Sequence, residues 1–189
     1  EVKVLMGIRD QIRPGLKTDL EKIKKLGVKN LVVLSGDNQG TVDRVAAELG
    51  LTEAHGHMLP EDKSAYIQDL IARKHTVAFV GDGVNDSPSL ALAQIGIAMG
   101  SGTDVAIETS DVVLMNSDFG RLPHALGLTK AIARNMRQNI AIAIGVVLAL
   151  LASVFFSSWM NMSIGMFVHE GSILLVILNG MRLLSYKLT

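Results

Sequence analysis

The stretch Val77-Ala-Phe-Val-Gly-Asp-Gly-Val-Asn-Asp-Ser-Pro88, VAFVGDGVNDSP, decides how the larger part of this 189-residue chain must fold. It opens as a short apolar run of the kind that forms a strand buried on both faces. Two carboxylates, Asp82 and Asp86, follow in a glycine-bearing turn, and Ser87-Pro88 reads as a helix start. In an open α/β sheet the chemistry collects where strands end and helices begin. The plain alternative is a turn whose aspartate caps a helix. That accounts for either aspartate alone, but not for the whole string at a strand end.

Outward from this turn, apolar β-branched runs recur at 2–8, 31–34, 76–80, 95–99 and 112–115. Helical patterns lie between them at 16–26, 41–49, 63–73 and 89–93, and Gly27 and Gly50 close two of these. Strands alternating with helices predict an α/β fold with a doubly wound parallel sheet. This region is expected over residues 1–120. Its opening, Glu1-Val-Lys-Val, shows no signal peptide and reads as the start of a piece of a longer polypeptide.

The formal net charge is +0, yet the charges are unevenly spread. Up to about residue 138 both signs are interspersed, as on a solvated surface. From Asn139 onward only Glu170, Arg182 and Lys187 are charged, apart from His169. No basic patch occurs, so a nucleic-acid partner is not expected. Cysteine is absent, which removes disulfides and thiolate ligands from within the chain.

Residues 121–138 read as a stalk helix carrying Lys130, Arg134 and Arg137. Two apolar runs follow at about 139–159 and 162–184, each near the 20 residues that span a bilayer as a helix. The short link between them predicts a transmembrane hairpin over 139–189. Arg134 and Arg137 flank one end of the pair, and Arg182 and Lys187 flank the other end on the same side. The positive-inside rule makes that side cytoplasmic, with the soluble part and both hairpin ends there and the protein a multi-pass component of the cell membrane. Two core helices of a soluble protein are the alternative; helices apolar all round would need far more protein to bury them.

Three other strand ends offer partners for Asp82 and Asp86. Ser35-Gly36-Asp37-Asn38 brings a hydroxyl that can donate to a phosphoryl oxygen and a glycine that lets backbone approach, although it is also ordinary turn chemistry. Lys63 sits at a helix start after Pro60, where its ammonium and backbone N–H groups can face one anion. The Gly100-Ser-Gly-Thr-Asp104 turn suits an anion but is unspecific. Paired aspartates suit Mg²⁺, a hard ion that keeps water and phosphate oxygens around few carboxylates. Hydroxyl, lysine and paired aspartates are the parts of a phosphoryl-transfer site that lacks its nucleophile.

In the second run, His169-Glu170 stands inside apolar sequence. Ionisable residues at membrane depth are costly and mark function. Imidazole with carboxylate suits borderline divalent cations such as Zn²⁺, Fe²⁺ or Co²⁺. A mutually hydrogen-bonded pair serving packing or proton transfer is the alternative. Ser172 falls on one side of His169 and Glu170 on the other, with Ile173 between. Met162 and Met166 are soft donors better suited to packing, and Asn179 and Arg182 read as interfacial anchors.

Asp10-Gln-Ile-Arg-Pro14, Ser35-Gly-Asp-Asn38, Met58-Leu-Pro-Glu-Asp-Lys63, Gly81-Asp-Gly-Val-Asn-Asp-Ser-Pro88 and Met99-Gly-Ser-Gly-Thr-Asp104, in this order, resemble the C-terminal part of a P-type ATPase. These are cation pumps of the haloacid-dehalogenase-like superfamily. The resemblance covers essentially the whole chain. It implies that Ser35 contacts the phosphoryl group, Lys63 neutralises it, and Asp82 ligates Mg²⁺ with Asn85 and Asp86 completing that site. Gly36 and Asp37 would lie at the nucleotide, Asp37 near the ribose of ATP. His-Glu-Gly followed by an apolar helix resembles the heavy-metal-transporting group associated with cobalt, iron(II) and zinc export. That implies a transported-metal site including His169, Glu170 and Ser172, completed from a helix with a Ser-Pro-Cys-type motif. Many relatives carry threonine where Ile173 stands.

The family's phosphorylated string, Asp-Lys-Thr-Gly-Thr, does not occur in the chain. The resemblance therefore implies a nucleotide-binding domain, an actuator domain and other membrane helices of the same pump as partners, and a segment inactive on its own. Two other readings stand beside it: a non-catalytic membrane-anchored module that binds a partner, and a hydrolase of the same superfamily acting on a soluble phosphate ester. The intramembrane His-Glu argues against the hydrolase.

Overall fold

The computed structural model describes residues 12–156 and 161–187. The chain divides into two compact units, one ending at Pro123 and the other beginning at His124. The strand expected at 2–8 and the hairpin tip at 157–160 lie outside the described residues.

The first unit alternates short strands and helices: α1 (Leu16–Lys25), β1 (Val32–Leu34), α2 (Gln39–Leu49), β2 (Glu53–His55), α3 (Pro60–Ala72), β3 (Ala78–Gly81), α4 (Ser87–Leu92), β4 (Ile95–Met99), α5 (Asp104–Glu108) and β5 (Val112–Leu114). Every ladder among the described strands is parallel. β1 pairs with β2, Val33 opposite Ala54, and a second sheet runs β3-β4-β5, Val80 opposite Ile97 and Ala98 opposite Val113. The expected parallel α/β architecture is present, with the strands distributed over two ladders rather than one. β2 and α5 were not anticipated. Glu53-Ala-His55 is polar and has no apolar alternation, so only backbone pairing with β1 makes it a strand.

Local chemistry sets the helix starts. The Asn38 side chain accepts from the Thr41 N–H at 2.9 Å, and the Thr103 hydroxyl from Ala106 N–H at 3.3 Å, each satisfying an orphan donor of the first turn. At α3, Asp62 reaches back to the Leu59 N–H at 2.9 Å, and Pro60 occupies the first helical position. Ile97, Met99 and Leu114 form the buried centre of the larger sheet, with Val80 and Leu122 packed on it. Truncating one of these to alanine would cost about 2–4 kcal/mol.

The second unit consists of two long helices, α6 (Arg121–Phe156, whose first three residues belong to the first unit) and α7 (Met162–Met181), the latter passing into a 3₁₀ turn over Arg182–Ser185. Pro123 does not break α6 because it lies in the first turn, where the N–H has no intrahelical acceptor. At 1.5 Å per residue the 36 residues of α6 reach about 54 Å. Asn161 caps α7, accepting from the Ile164 N–H at 2.9 Å. Both helices are long and apolar enough to cross a membrane. Phe155 on α6 and Phe167 on α7 are each 81% exposed, with Leu148, Leu151, Leu174 and Leu178 also outward. Core helices of a soluble protein would have such faces covered, so this exposure speaks for lipid or further helices around them.

Candidate functional site

The carboxyl ends of β1 and β3 carry the expected polar residues. At the first, the chain turns sharply: the Ser35 hydroxyl donates to Asp37 Oδ2 at 3.0 Å and accepts from the Asp37 N–H at 3.1 Å. This turn is held against the segment after β2. Ser35 N–H donates to the His55 carbonyl at 2.9 Å, Met58 N–H to the Ser35 carbonyl at 3.0 Å, and His57 N–H to the Asp37 carbonyl at 2.7 Å. Gln39 ties the same corner, accepting from Gly56 N–H at 2.6 Å and donating to the Ala54 carbonyl at 3.0 Å. The segment 55–58 then leads directly into α3, whose first turn carries Lys63. Ser35 and Lys63 are thus fixed through one run of backbone.

Lys63 reaches across to the end of β3. Its Nζ lies 2.8 Å from Asp86 Oδ1, and both side chains are only 15% exposed. A charge-assisted pair this sheltered fixes both ends in place. Gly81 allows it, because a Cβ there would stand 2.7 Å from the Asp86 Cβ, where that side chain folds back over the strand end. Asp82, by contrast, is exposed, and its carboxylate has no hydrogen-bond partner among the described residues. Its backbone is held from behind by the 100–104 turn: Thr103 N–H donates to the Asp82 carbonyl at 3.1 Å. A Cβ on Gly102 would meet the Asp82 and Met99 carbonyl oxygens at 2.8 Å. Asn85 is exposed in the 3₁₀ turn Val84–Asp86.

The structure therefore brings Lys63 and Asp86 into contact, with Asp82 four residues upstream in the same loop. Ser35, Gly36 and Asp37 occupy the neighbouring β1 corner. Asp82, with its open carboxylate, and Asp86, which keeps one oxygen beyond the lysine contact, fit a cation that needs few protein ligands. No cluster of three His, Cys, Asp or Glu forms among the described residues, so such an ion would retain water or substrate oxygens. The sequence marks the 100–104 turn only as anion-friendly and Ser87 only as a helix start, and assigns Gly102, Thr103 and Ser87 no individual part in the site. The Ser87 hydroxyl, next to Asp86, is buried and has no partner among the described residues. Only the close approach of 99–103 to Asp82 reveals what Gly102 does, and that approach is tertiary.

Behind this corner, Tyr66 of α3 donates to Glu53 Oε2 at 2.7 Å, and the His55 ring nitrogen lies 3.4 Å from the same oxygen. The His55 and Tyr66 rings are 4.9 Å apart. Burial and the hydrogen bond to Glu53 push the Tyr66 phenol up to about 12, while the bonds from Tyr66 and His55 hold the Glu53 carboxyl below its ordinary range. This knot anchors α3, and with it Lys63, to β2.

In the second unit, His169 lines a groove between α6 and α7 with Leu150, Val154, Met162, Gly165 and Met166. Glu170, one residue on, does not line that groove. His169 and Glu170 are both exposed, and no hydrogen bond joins them. Ser172 is buried, its hydroxyl donating to the His169 carbonyl at 2.6 Å and keeping its lone pairs.

Residues 1–94 match the haloacid dehalogenase-like hydrolase family. The chain is 42% identical over 179 residues to the zinc-transporting ATPase of Bacillus subtilis, covering 95% of the chain and 28% of that protein. It is 38% identical over 185 residues to a probable cadmium-transporting ATPase of Staphylococcus aureus, covering 97% of the chain and 25% of that protein. The crystal structure of a zinc-transporting PIB-type ATPase in its E2·Pi state superposes with a TM-score of 0.80 at 36% identity, over 93% of this chain and 28% of that one. The chain thus spans about a quarter of the length of the relatives it matches, and its fold is haloacid-dehalogenase-like parallel sheets followed by two long apolar helices.

Proposed function

We propose that this chain is a C-terminal portion of a heavy-metal-transporting P-type ATPase, as its similarity to such pumps supports, and that it supplies the Mg²⁺- and phosphate-handling half of the phosphorylation site together with a transported-metal site on α7. The observation that carries this reading is the conjunction within one chain of the Lys63–Asp86 contact, with Asp82 left open beside it, and His169-Glu170 in an apolar helix.

Asp82 and Asp86 would hold Mg²⁺, whose chemistry here is to neutralise charge building on a transferring phosphoryl group. Lys63 adds a fixed positive charge at the same corner. It also holds Asp86 in one rotamer, so the carboxylate is oriented before any ligand arrives. The Ser35 hydroxyl, once turned from Asp37, and the Gly36 backbone would meet the same anion from the β1 end, and Asp37 and Asn85 would meet nucleotide and phosphate. The aspartate that takes the phosphoryl group, the nucleotide-binding and actuator domains and the other membrane helices would belong to the remainder of the pump. In the membrane, His169 and Glu170 would ligate the cation, with Ser172 as a weaker oxygen donor. An imidazole with a carboxylate favours Zn²⁺, Fe²⁺ or Co²⁺ over alkali ions, and the His-Glu-Gly string at 169–171 is the feature on which a cobalt, iron or zinc specificity rests. Arg134, Arg137, Arg182 and Lys187 support a cytoplasmic position for both ends of the helix pair.

The test is the metal dependence of ATP hydrolysis by the complete protein in membrane vesicles. The reading expects stimulation by Zn²⁺, Co²⁺ or Fe²⁺ and none by Na⁺ or K⁺. Hydrolysis indifferent to every divalent transition metal would favour a non-catalytic or differently coupled module.

A further inference from the structure

The two membrane-length helices are joined by a closed ring of amides that none of the roles above uses. Asn135 of α6 is buried, and its Nδ2 donates to the Asn179 backbone carbonyl of α7 at 2.8 Å. Asn179 Nδ2 donates back to Asn139 Oδ1 at 2.8 Å, and Asn139 Nδ2 donates to Asn135 Oδ1 at 3.1 Å. The Arg182 guanidinium closes the last acceptor, donating to Asn179 Oδ1 at 3.2 Å, and Gln138 Oε1 takes a second, longer bond from Asn179 Nδ2 at 3.4 Å. The Asn135 and Asn139 side chains each donate and accept within the ring, while Asn179 donates through its side chain and accepts through its backbone carbonyl.

The placement has a local cause. α7 ends at Met181, so the Asn179 carbonyl is among the last four, which have no intrahelical donor. That oxygen is met from the other helix by Asn135, which is itself buried. Asn135 and Asn139 are one turn apart and present a two-rung face to α7. Sliding α7 by one turn would part Asn179 from both α6 amides and leave only the Asn139–Asn135 bond within α6. Further toward the start of α6, the rings of His124 and Tyr186 approach to 5.6 Å, so the register is held at two levels.

We propose that the Asn135–Asn139–Asn179 ring, closed by Arg182, is a positioning lock: it keeps α6 and α7 in one register throughout transport. It lies about ten residues, roughly 15 Å along α7, from His169, too far to touch the cation. Its role is to make the helix that carries His169 and Glu170 travel with α6, so that movement of α6 reaches the metal ligands without slippage. The inference rests on the transport reading given above.

Two measurements on the full-length pump test it. In the first, Asn135→Cys and Asn179→Cys are joined by a short bifunctional thiol reagent. This chain has no cysteine of its own, so these are the only thiols on the two helices, and the same reagent on pumps carrying either cysteine alone controls for thiols elsewhere. The lock predicts that the cross-linked pump still transports metal, because the pair never needs to part. Inhibition relieved by cleaving the link would overturn it. In the second, Asn139→Leu with Asn179→Leu keeps the side-chain size and removes the ring. Metal moved per ATP hydrolysed should fall at least about fivefold, the lower end of ordinary coupling energies, while phosphorylation by inorganic phosphate is kept. That ratio is independent of how much protein folds. An unchanged ratio overturns the lock. The transport reading fails on a different readout, a wild-type ATPase that ignores all divalent transition metals.

Discussion

Asp82 and Asp86 have the same charge, sit in the same loop and differ in what surrounds them. Asp86 is committed to Lys63 at 2.8 Å, and Asp82 stays open. Asp82→Asn should therefore leave folding nearly unchanged but lower Mg²⁺-dependent phosphoenzyme in the full pump at least about 100-fold, as expected when a charge-stabilising group is lost. Phosphorylation by radiolabelled ATP measures this, and normal levels would remove Asp82 from the site. Lys63→Met leaves the Asp86 carboxylate without its partner in a sheltered position. The stability cost should be about 1–3 kcal/mol, moderated by the residual exposure of the pair, and phosphoenzyme should fall with it. Gly102→Ala is the subtler change. Its Cβ would push on the Asp82 and Met99 carbonyl oxygens at 2.8 Å, moving Asp82 without altering any charge. Phosphoenzyme should drop about tenfold for a stability loss of about 1–2 kcal/mol in a denaturant melt.

At the scale of elements, the site depends on α3 staying docked against β2, and the Tyr66–Glu53 bond does part of that docking. Tyr66→Phe should cost about 1 kcal/mol near neutral pH, the net worth of one such bond. The pH dependence follows from the two directions of shift. Tyr66 is raised from about 10 to about 12, so its contribution is complete below pH 10 and is lost as pH rises through 12. Glu53 is lowered from 4.5, so its contribution is complete above that pH and fades as pH falls further. The wild type should exceed Tyr66→Phe by a constant margin between these limits and converge with it at either extreme. A margin flat from acid to alkali would show that the bond does not form in solution.

These same elements show what a reader of the sequence can and cannot see. β3, β4 and β5 are apolar runs bounded by turn residues, a local pattern that by itself marks a strand. β2 is Glu-Ala-His, and its strand character comes from pairing with β1, which no local pattern announces. Ser35, Lys63, Asp82 and Asp86 stand out as candidates in the sequence because such residue types recur at strand ends, and the structure puts Lys63 against Asp86. Gly102 and Tyr66 were not, because each acts through a partner distant in sequence. Asn179 and Arg182 looked like interfacial anchors, yet they join a ring with Asn135 and Asn139, about 40 residues away in the chain.

For the whole molecule, the proposed function joins two chemistries in one chain: phosphoryl handling at the ends of parallel strands, and a cation site on an apolar helix. Similarity to zinc- and cadmium-transporting ATPases covers both parts. The structure adds that His169 and Glu170 do not satisfy each other, since no hydrogen bond joins them. Within a bilayer, polar side chains so left would be costly unless a ligand met them. The most direct measurement is Glu170→Ala in the full-length pump, read on two assays at once. The account predicts that metal-stimulated ATP hydrolysis disappears while phosphorylation by inorganic phosphate persists, because Asp82, Asp86 and Lys63 are untouched. Metal stimulation equal to wild type in that variant would contradict it.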